Sequence, residues 1–165
     1  MPILDANTLD FISRSPDQTR RVGMRLGALL NPGDVVCLQG DLGAGKTTFV
    51  QGLAQGWGSL DSVSSPTFII VNVYRRADES ELYHLDTYRL ESAPEAAMLD
   101  LDDMLDAGPL VIEWPERIES VLPRERLWLQ LDYIDEEQRR IQVMANGKQY
   151  EDFIEELRQT ALGDN

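Results

Sequence analysis

Eight consecutive residues, Gly40-Asp41-Leu42-Gly43-Ala44-Gly45-Lys46-Thr47, constrain this chain more than any other stretch of it. They fill every fixed position of the pattern G-x-x-x-x-G-K-[ST]. At ordinary residue frequencies that pattern arises by chance in about one chain in 200 of this length. The flanks narrow the reading further. Val35-Val36-Cys37-Leu38 is an apolar run the size of a buried strand, and Val50, Leu53, Ala54 and Trp57 share one side of a helix. Strand, glycine-rich turn and helix make the frame that a phosphate loop needs. Glycines let backbone N–H groups converge on phosphate oxygens with no Cβ in the way. The helix N-terminus turns the positive end of its dipole toward the same anion. Lys46 adds a mobile cation for the outer phosphates, and Thr47 offers a hydroxyl to Mg²⁺. A glycine turn with an exposed lysine is the plain alternative.

The rest of the chain reads as strands and helices around that motif. Ser15-Pro16-Asp17-Gln18 predicts a helix start, with Ser15 as cap, and Val22, Leu26, Leu29 and Leu30 fall on one face of that helix. Asn31-Pro32-Gly33 ends it. Phe68 to Tyr74, Leu82 to Asp86 and Leu110 to Trp114 read as strands. A helix is expected between the last two, opened by a capping box of Ser92 and Glu95, with Ala97, Leu101, Met104 and Leu105 on one face. Leu127 to Leu131 and Ile141 to Val143 read as a late antiparallel hairpin tipped by Asp135-Glu136-Glu137. Tyr150, Phe153, Ile154, Leu157 and Ala161 form a helical stripe, fitting core packing better than a new activity, before Gly163-Asp164-Asn165 frays. The expected fold is α/β: a mixed, mainly parallel central sheet flanked by helices, in one domain over residues 1–165, with 148–165 as a C-terminal amphipathic helix and tail.

Composition excludes several classes. Cys37 is alone, so a disulfide scaffold is out. No uninterrupted apolar run approaches the roughly 20 residues of a membrane span, and Met1 to Phe11 has no basic head of a secretory signal. A cytoplasmic location with no membrane partner is the expectation. With 15 basic and 29 acidic residues the net charge is −14. A field that negative repels a nucleic-acid backbone, so direct grip on tRNA or DNA is disfavoured.

A phosphate loop binds; hydrolysis further needs a carboxylate near Mg²⁺ and a group that orients the attacking water. Such acids sit where strands end beside the loop. Asp86 and Glu113 have that placement, each ending an apolar strand, although a solvated strand end would look the same. Asp100, Asp102 and Asp103 read as solvated helix residues. Thr67, in Ser65-Pro66-Thr67-Phe68, is either a switch residue sensing the γ-phosphate or part of a plain turn before a strand. His84 is the only histidine and, without Cys or His partners, reads as a packed strand residue and not as a zinc ligand. Trp114 reads as core or as a cover over the site.

Four segments in order carry a resemblance. Gly40 to Phe49, Ser65-Pro66-Thr67-Phe68, His84-Leu85-Asp86-Thr87-Tyr88-Arg89-Leu90 and Ile112-Glu113-Trp114-Pro115 together resemble the TsaE (formerly YjeE) family, from residue 15 to about residue 145. That resemblance implies a small cytoplasmic P-loop ATPase of bacterial tRNA threonylcarbamoyladenosine synthesis. Its implied partners are TsaB and TsaD, with tRNA reached only through them, and ATP hydrolysis resets their complex between turnovers. It implies that Gly43, Ala44, Gly45, Lys46, Thr47 and Thr48 bind the nucleotide with Mg²⁺ on Thr47 and Glu113. Asp86 lies near the γ-phosphate and, with Lys46, serves catalysis. A residue of the late hairpin, Arg139 or Arg140, lies near the nucleotide. Thr87 departs from the family's usual apolar residue, and the stretch from Lys148 onward reads as an addition or a divergent end.

Two other functions fit a phosphate loop. A small-molecule kinase shares the size but needs an acceptor pocket and an arginine-bearing lid, neither identifiable here. A nucleotide-dependent switch would bind partners with negligible turnover. A GTPase is disfavoured because no Asn-Lys-x-Asp motif occurs; Asn146-Gly147-Lys148-Gln149 is not one.

Overall fold

The computed structural model describes residues 7–41, 43–63, 71–88 and 100–161. Its elements run β1 (Thr8–Ser13), α1 (Pro16–Leu29), β2 (Val35–Gln39), α2 (Lys46–Trp57), β3 (Val71–Arg75), β4 (Glu81–Asp86), α3 (Leu101–Ala107), β5 (Leu110–Glu113), β6 (Arg126–Tyr133), β7 (Arg139–Asn146) and α4 (Lys148–Ala161). Pro115–Arg117 and Glu119–Val121 are single 3-10 turns. The seven strands form one sheet in the order β1-β7-β6-β2-β5-β4-β3. The four central strands β6, β2, β5 and β4 are parallel. The flanks are antiparallel. This is the expected α/β sheet, and its late hairpin pairs with β2 through β6.

Alternation on β2 divides two cores. Val36 and Leu38 face a core built with Leu26 of α1, Phe49 and Leu53 of α2, and Tyr150, Ile154 and Leu157 of α4. Val35 and Cys37 face the other, with Leu85, Ile112, Leu101 of α3, Ile118 and Leu122. α1 starts as its sequence predicts: the Ser15 hydroxyl accepts from the Gln18 N–H at 3.1 Å, and Gln18 reaches back to the Arg14 N–H at 2.7 Å. α1 lies against α2 by backbone contact, because each helix presents two glycines four residues apart. A Cβ on Gly27 would sit 1.9 Å from the Leu53 carbonyl oxygen, and one on Gly52 2.0 Å from that of Arg20. Only hydrogen fits at that crossing. α4 is part of the core, as its stripe suggests: Tyr150 is fully buried and its hydroxyl accepts from the Val35 N–H at 2.8 Å. No described helix is long and apolar enough to cross a membrane.

Three differences from the sequence reading have physical causes. β1 was not expected. Its inner face carries Leu9, Phe11 and Ser13 while Ile12 points outward, half exposed, so its alternation is scrambled. Ser13 tolerates burial because its hydroxyl bonds that of Thr19 at 2.6 Å. The helix expected from Ser92 through Leu105 is not continuous, since Asp100 adopts a left-handed conformation (φ 51°) and α3 starts after it. Ser92, Glu95 and Ala97 lie outside the described residues, as do Thr67, Arg89, residues 68–70 of the expected strand and the tail 162–165. Finally, β5 stops at Glu113, and Trp114 turns out of it at φ 61°.

Candidate nucleotide-binding site

The site forms where three parallel strands end side by side. Leu38 of β2 is in register with Glu113 of β5, and Glu113 with Asp86 of β4. The glycine-rich turn leaves β2 at that same edge. Gly43 and Gly45 take φ of +84° and +96°, conformations that side chains resist. Gly40 has no room for a Cβ, which would lie 2.6 Å from the Leu131 carbonyl oxygen. Ala44 is buried beneath the turn. α2 then opens at Lys46 with no side chain capping it, so its first-turn N–H groups have no side-chain acceptor at the cap. Thr47 and Thr48 follow in that first turn, partly exposed.

Lys46 is the most unusual group here. Its residue is 6 % exposed, and Nζ has no hydrogen-bond partner among the described residues. The ammonium rests 3.9 Å over the ring of Trp114. Burial lowers its pKa, offset in part by the charges of Glu113, Asp86, Glu116 and Asp41. Asp86 is shifted the other way: desolvation raises its pKa, helped by Glu113 and opposed by the Tyr88 N–H, which donates to Asp86 Oδ1 at 2.9 Å. Glu116 is raised by burial as well. Lys46, Asp86 and Glu113 therefore share one poorly hydrated electrostatic neighbourhood, as their sequence placement suggests.

Glu113 is not a solvated strand end. Its side chain is 8 % exposed, and Oε2 lies 2.6 Å from Nε2 of His84. His84 Nδ1 lies 2.8 Å from the Tyr74 hydroxyl. The histidine read as packing is thus a buried link between two polar groups. The pairing was invisible in sequence because its members sit on three strands; only the alternation of β4 signals that His84 shares a face with Leu82. Thr87 is also explained. Fully buried, its hydroxyl donates to the carbonyls of Glu113 and Trp114, fastening the left-handed turn that lays the indole over Lys46. Tyr88 packs against Trp114 at 4.9 Å between ring centroids.

The hairpin choice also resolves geometrically. Arg140 points away from the loop, paired with Asp10 of β1 at 2.6 Å. The Arg139 side chain lies against Gly45, where a Cβ would come within 3.5 Å of its Cγ and Nε. It lines a small cavity of about 30 Å³ with Pro16, Thr19, Gly45, Thr48 and Glu137. Its guanidinium donates to the backbone carbonyls of Asp135 and Gln138 and covers the Tyr133 ring. Arg139, not Arg140, is the hairpin cation beside the loop.

A parallel sheet whose central strand feeds a glycine-rich turn into a helix, with acids at the neighbouring strand ends, defines a P-loop protein. The sequence model of the threonylcarbamoyl adenosine biosynthesis protein TsaE matches residues 13–141. The chain belongs to the TsaE family. It is 41 % identical over 144 residues to the tRNA threonylcarbamoyladenosine biosynthesis protein TsaE of Bacillus subtilis, covering 87 % of this chain and 89 % of that protein. The TsaE of Streptomyces coelicolor is 44 % identical over 115 residues, 68 % of this chain and 78 % of that one. The crystal structure of Bacillus subtilis YdiB superposes with a TM-score of 0.76 at 36 % identity, covering 96 % of this chain and 97 % of that one. Fewer residues stay outside that superposition than the 14 of α4, so α4 is not wholly an addition to the shared fold.

Proposed function

We propose that the chain is a Mg²⁺-dependent ATP hydrolase that supports N6-threonylcarbamoyladenosine formation in tRNA as a partner of TsaB and TsaD, in the cytoplasm. ATP hydrolysis resets their complex between turnovers, and tRNA is met only through the partners. One observation carries the ATP reading: a buried lysine ammonium without a hydrogen-bond partner among the described residues, at the mouth of a glycine cradle. An orphaned buried cation is costly, and a polyphosphate would satisfy it.

The residues fit both the nucleotide and the metal. The amides of Gly43, Ala44 and Gly45 and the first turn of α2 bind phosphate oxygens, with Lys46 on the outer phosphates and Thr48 beside them. The Thr47 hydroxyl and the Glu113 carboxylate are hard oxygen donors, the kind Mg²⁺ prefers. Mg²⁺, when bound, neutralises phosphate charge and supports transfer of the γ-phosphoryl group to water. Asp86 orients that water, and burial makes it a stronger base than an exposed aspartate. Thr67 is the proposed switch residue of the γ-phosphate. The net charge of −14 supports docking on a basic partner surface and not on tRNA itself.

Reconstitution with TsaB and TsaD tests this. Multiple-turnover tRNA modification should require the chain and ATP. Lys46→Ala should weaken ATP binding about 10- to 100-fold, the worth of a charged hydrogen bond of about 1.5–3 kcal/mol. Asp86→Asn should keep binding and abolish turnover. Full modification by Asp86→Asn would mean a binding switch, and a phosphorylated small-molecule product formed without partners would mean a kinase.

A further inference from the structure

Behind Glu113 a chain of contacts runs through His84 to Tyr74. Glu113 Oε2 lies 2.6 Å from His84 Nε2, and a carboxylate there accepts while the ring N–H donates. In the tautomer that carries its proton on Nε2, Nδ1 accepts from the Tyr74 hydroxyl, 2.8 Å away. Burial pushes the Tyr74 phenol up to about 12, so it keeps its proton and is able to donate. Tyr74, His84 and Glu113 belong to β3, β4 and β5, and the relay crosses the sheet from its edge to the strand beside the phosphate loop. Both ring nitrogens are thereby engaged, and the imidazole is 1 % exposed.

We infer that His84 is a positioning residue for Mg²⁺: anchored by Tyr74, it fixes one oxygen of Glu113 so that the carboxylate presents its other oxygen to the metal in a single orientation. This rests on the Mg²⁺-ATP reading above. Histidine held behind a metal-binding carboxylate acts as outer-shell partners do elsewhere, where their loss costs about 10- to 100-fold in metal affinity. Tyr74 extends the same support one strand further. Asp86, which neighbours Glu113 in register, has no part in the relay.

The test is binding of a fluorescent ATP analogue by the full chain, titrated with Mg²⁺ and repeated in EDTA. His84→Asn is too short to reach Glu113, whereas His84→Gln places an amide N–H near the position of Nε2. His84→Asn should raise the Mg²⁺ concentration for half-maximal tightening at least tenfold and leave affinity in EDTA within twofold of wild type. His84→Gln should stay within about threefold of wild type in both. An unchanged Mg²⁺ requirement in His84→Asn overturns the inference, and so does an equal loss in both variants that persists in EDTA. Should His84→Asn fail to fold, Tyr74→Phe replaces it: a severalfold rise in Mg²⁺ requirement is expected, and no change overturns the inference. A wild type that binds the analogue with no Mg²⁺ dependence overturns the metal reading itself and this inference with it.

Discussion

The site holds charges that the ligand-free protein keeps at a cost. Lys46 is buried with a pKa lowered by desolvation, and Asp86 is half-buried with a pKa raised by it. Neither shift serves folding; both suit a ligand that brings the missing charge and hydrogen bonds. The consequence for stability has a sign. A carboxyl whose pKa is raised on folding binds its proton more readily in the folded state. Its favourable contribution is therefore present at low pH and is lost as pH rises from the ordinary 3.8 through the folded value. Asp86→Asn, which keeps an oxygen for the Tyr88 N–H, should melt above wild type at pH 7 without nucleotide. The gap should shrink toward zero near pH 4. Melting curves at both pH values check this; a gap independent of pH contradicts it. Thr87 belongs to the same scale. Its hydroxyl fixes the backbone turn at Trp114, which explains a polar residue at a buried position.

At the scale of elements, the phosphate loop is aimed by α2, and α2 is seated by its glycine crossing with α1. Gly23, Gly27, Gly52 and Gly56 let the two backbones touch. Gly27→Ala would set a Cβ 1.9 Å from a carbonyl oxygen, so the helices must part. Overpacking of this kind costs about 1–3 kcal/mol, and alanine's better helix propensity returns about 1 at most. A net loss of about 1 kcal/mol or more in urea denaturation is expected; an unchanged or higher midpoint would contradict the crossing. This contact shows what sequence leaves hidden. The spacing of Val22, Leu26 and Leu30 reveals α1 as a helix but not which side meets α2, because glycines carry no hydrophobic signal. The phosphate loop, β2, β4, β5, the late hairpin and α4 were all legible, because each has local periodicity or a fixed motif. β1 was not, because Ser13 points in and Ile12 points out. In the candidate site, the grouping of Lys46, Asp86 and Glu113 was legible from strand ends and motif. The Tyr74–His84–Glu113 link and the choice of Arg139 were not, since both depend on strand neighbours set by the whole sheet.

For the whole molecule, charge decides how it meets others. A net charge of −14 would steer approach to any basic partner at long range, and salt screens such steering with a Debye length of about 10 Å at 0.1 M falling to about 3 Å at 1 M. If the proposed docking on TsaB and TsaD is charge-steered, association should slow severalfold between about 0.05 and 0.5 M salt, with dissociation changed far less. Salt-independent association, followed by stopped flow, would mean that docking is apolar. The proposed ATP binding requires a single event at Lys46, in which the ammonium would leave the face of Trp114 for a phosphate. A crystal structure with a non-hydrolysable ATP analogue and Mg²⁺ observes it directly. It should show Nζ on the outer phosphate oxygens, the metal on Thr47 with Glu113 facing it, and Asp86 beside the γ-phosphate. A cradle empty at saturating analogue, or Lys46 still stacked on Trp114 with the nucleotide bound elsewhere, would contradict the account.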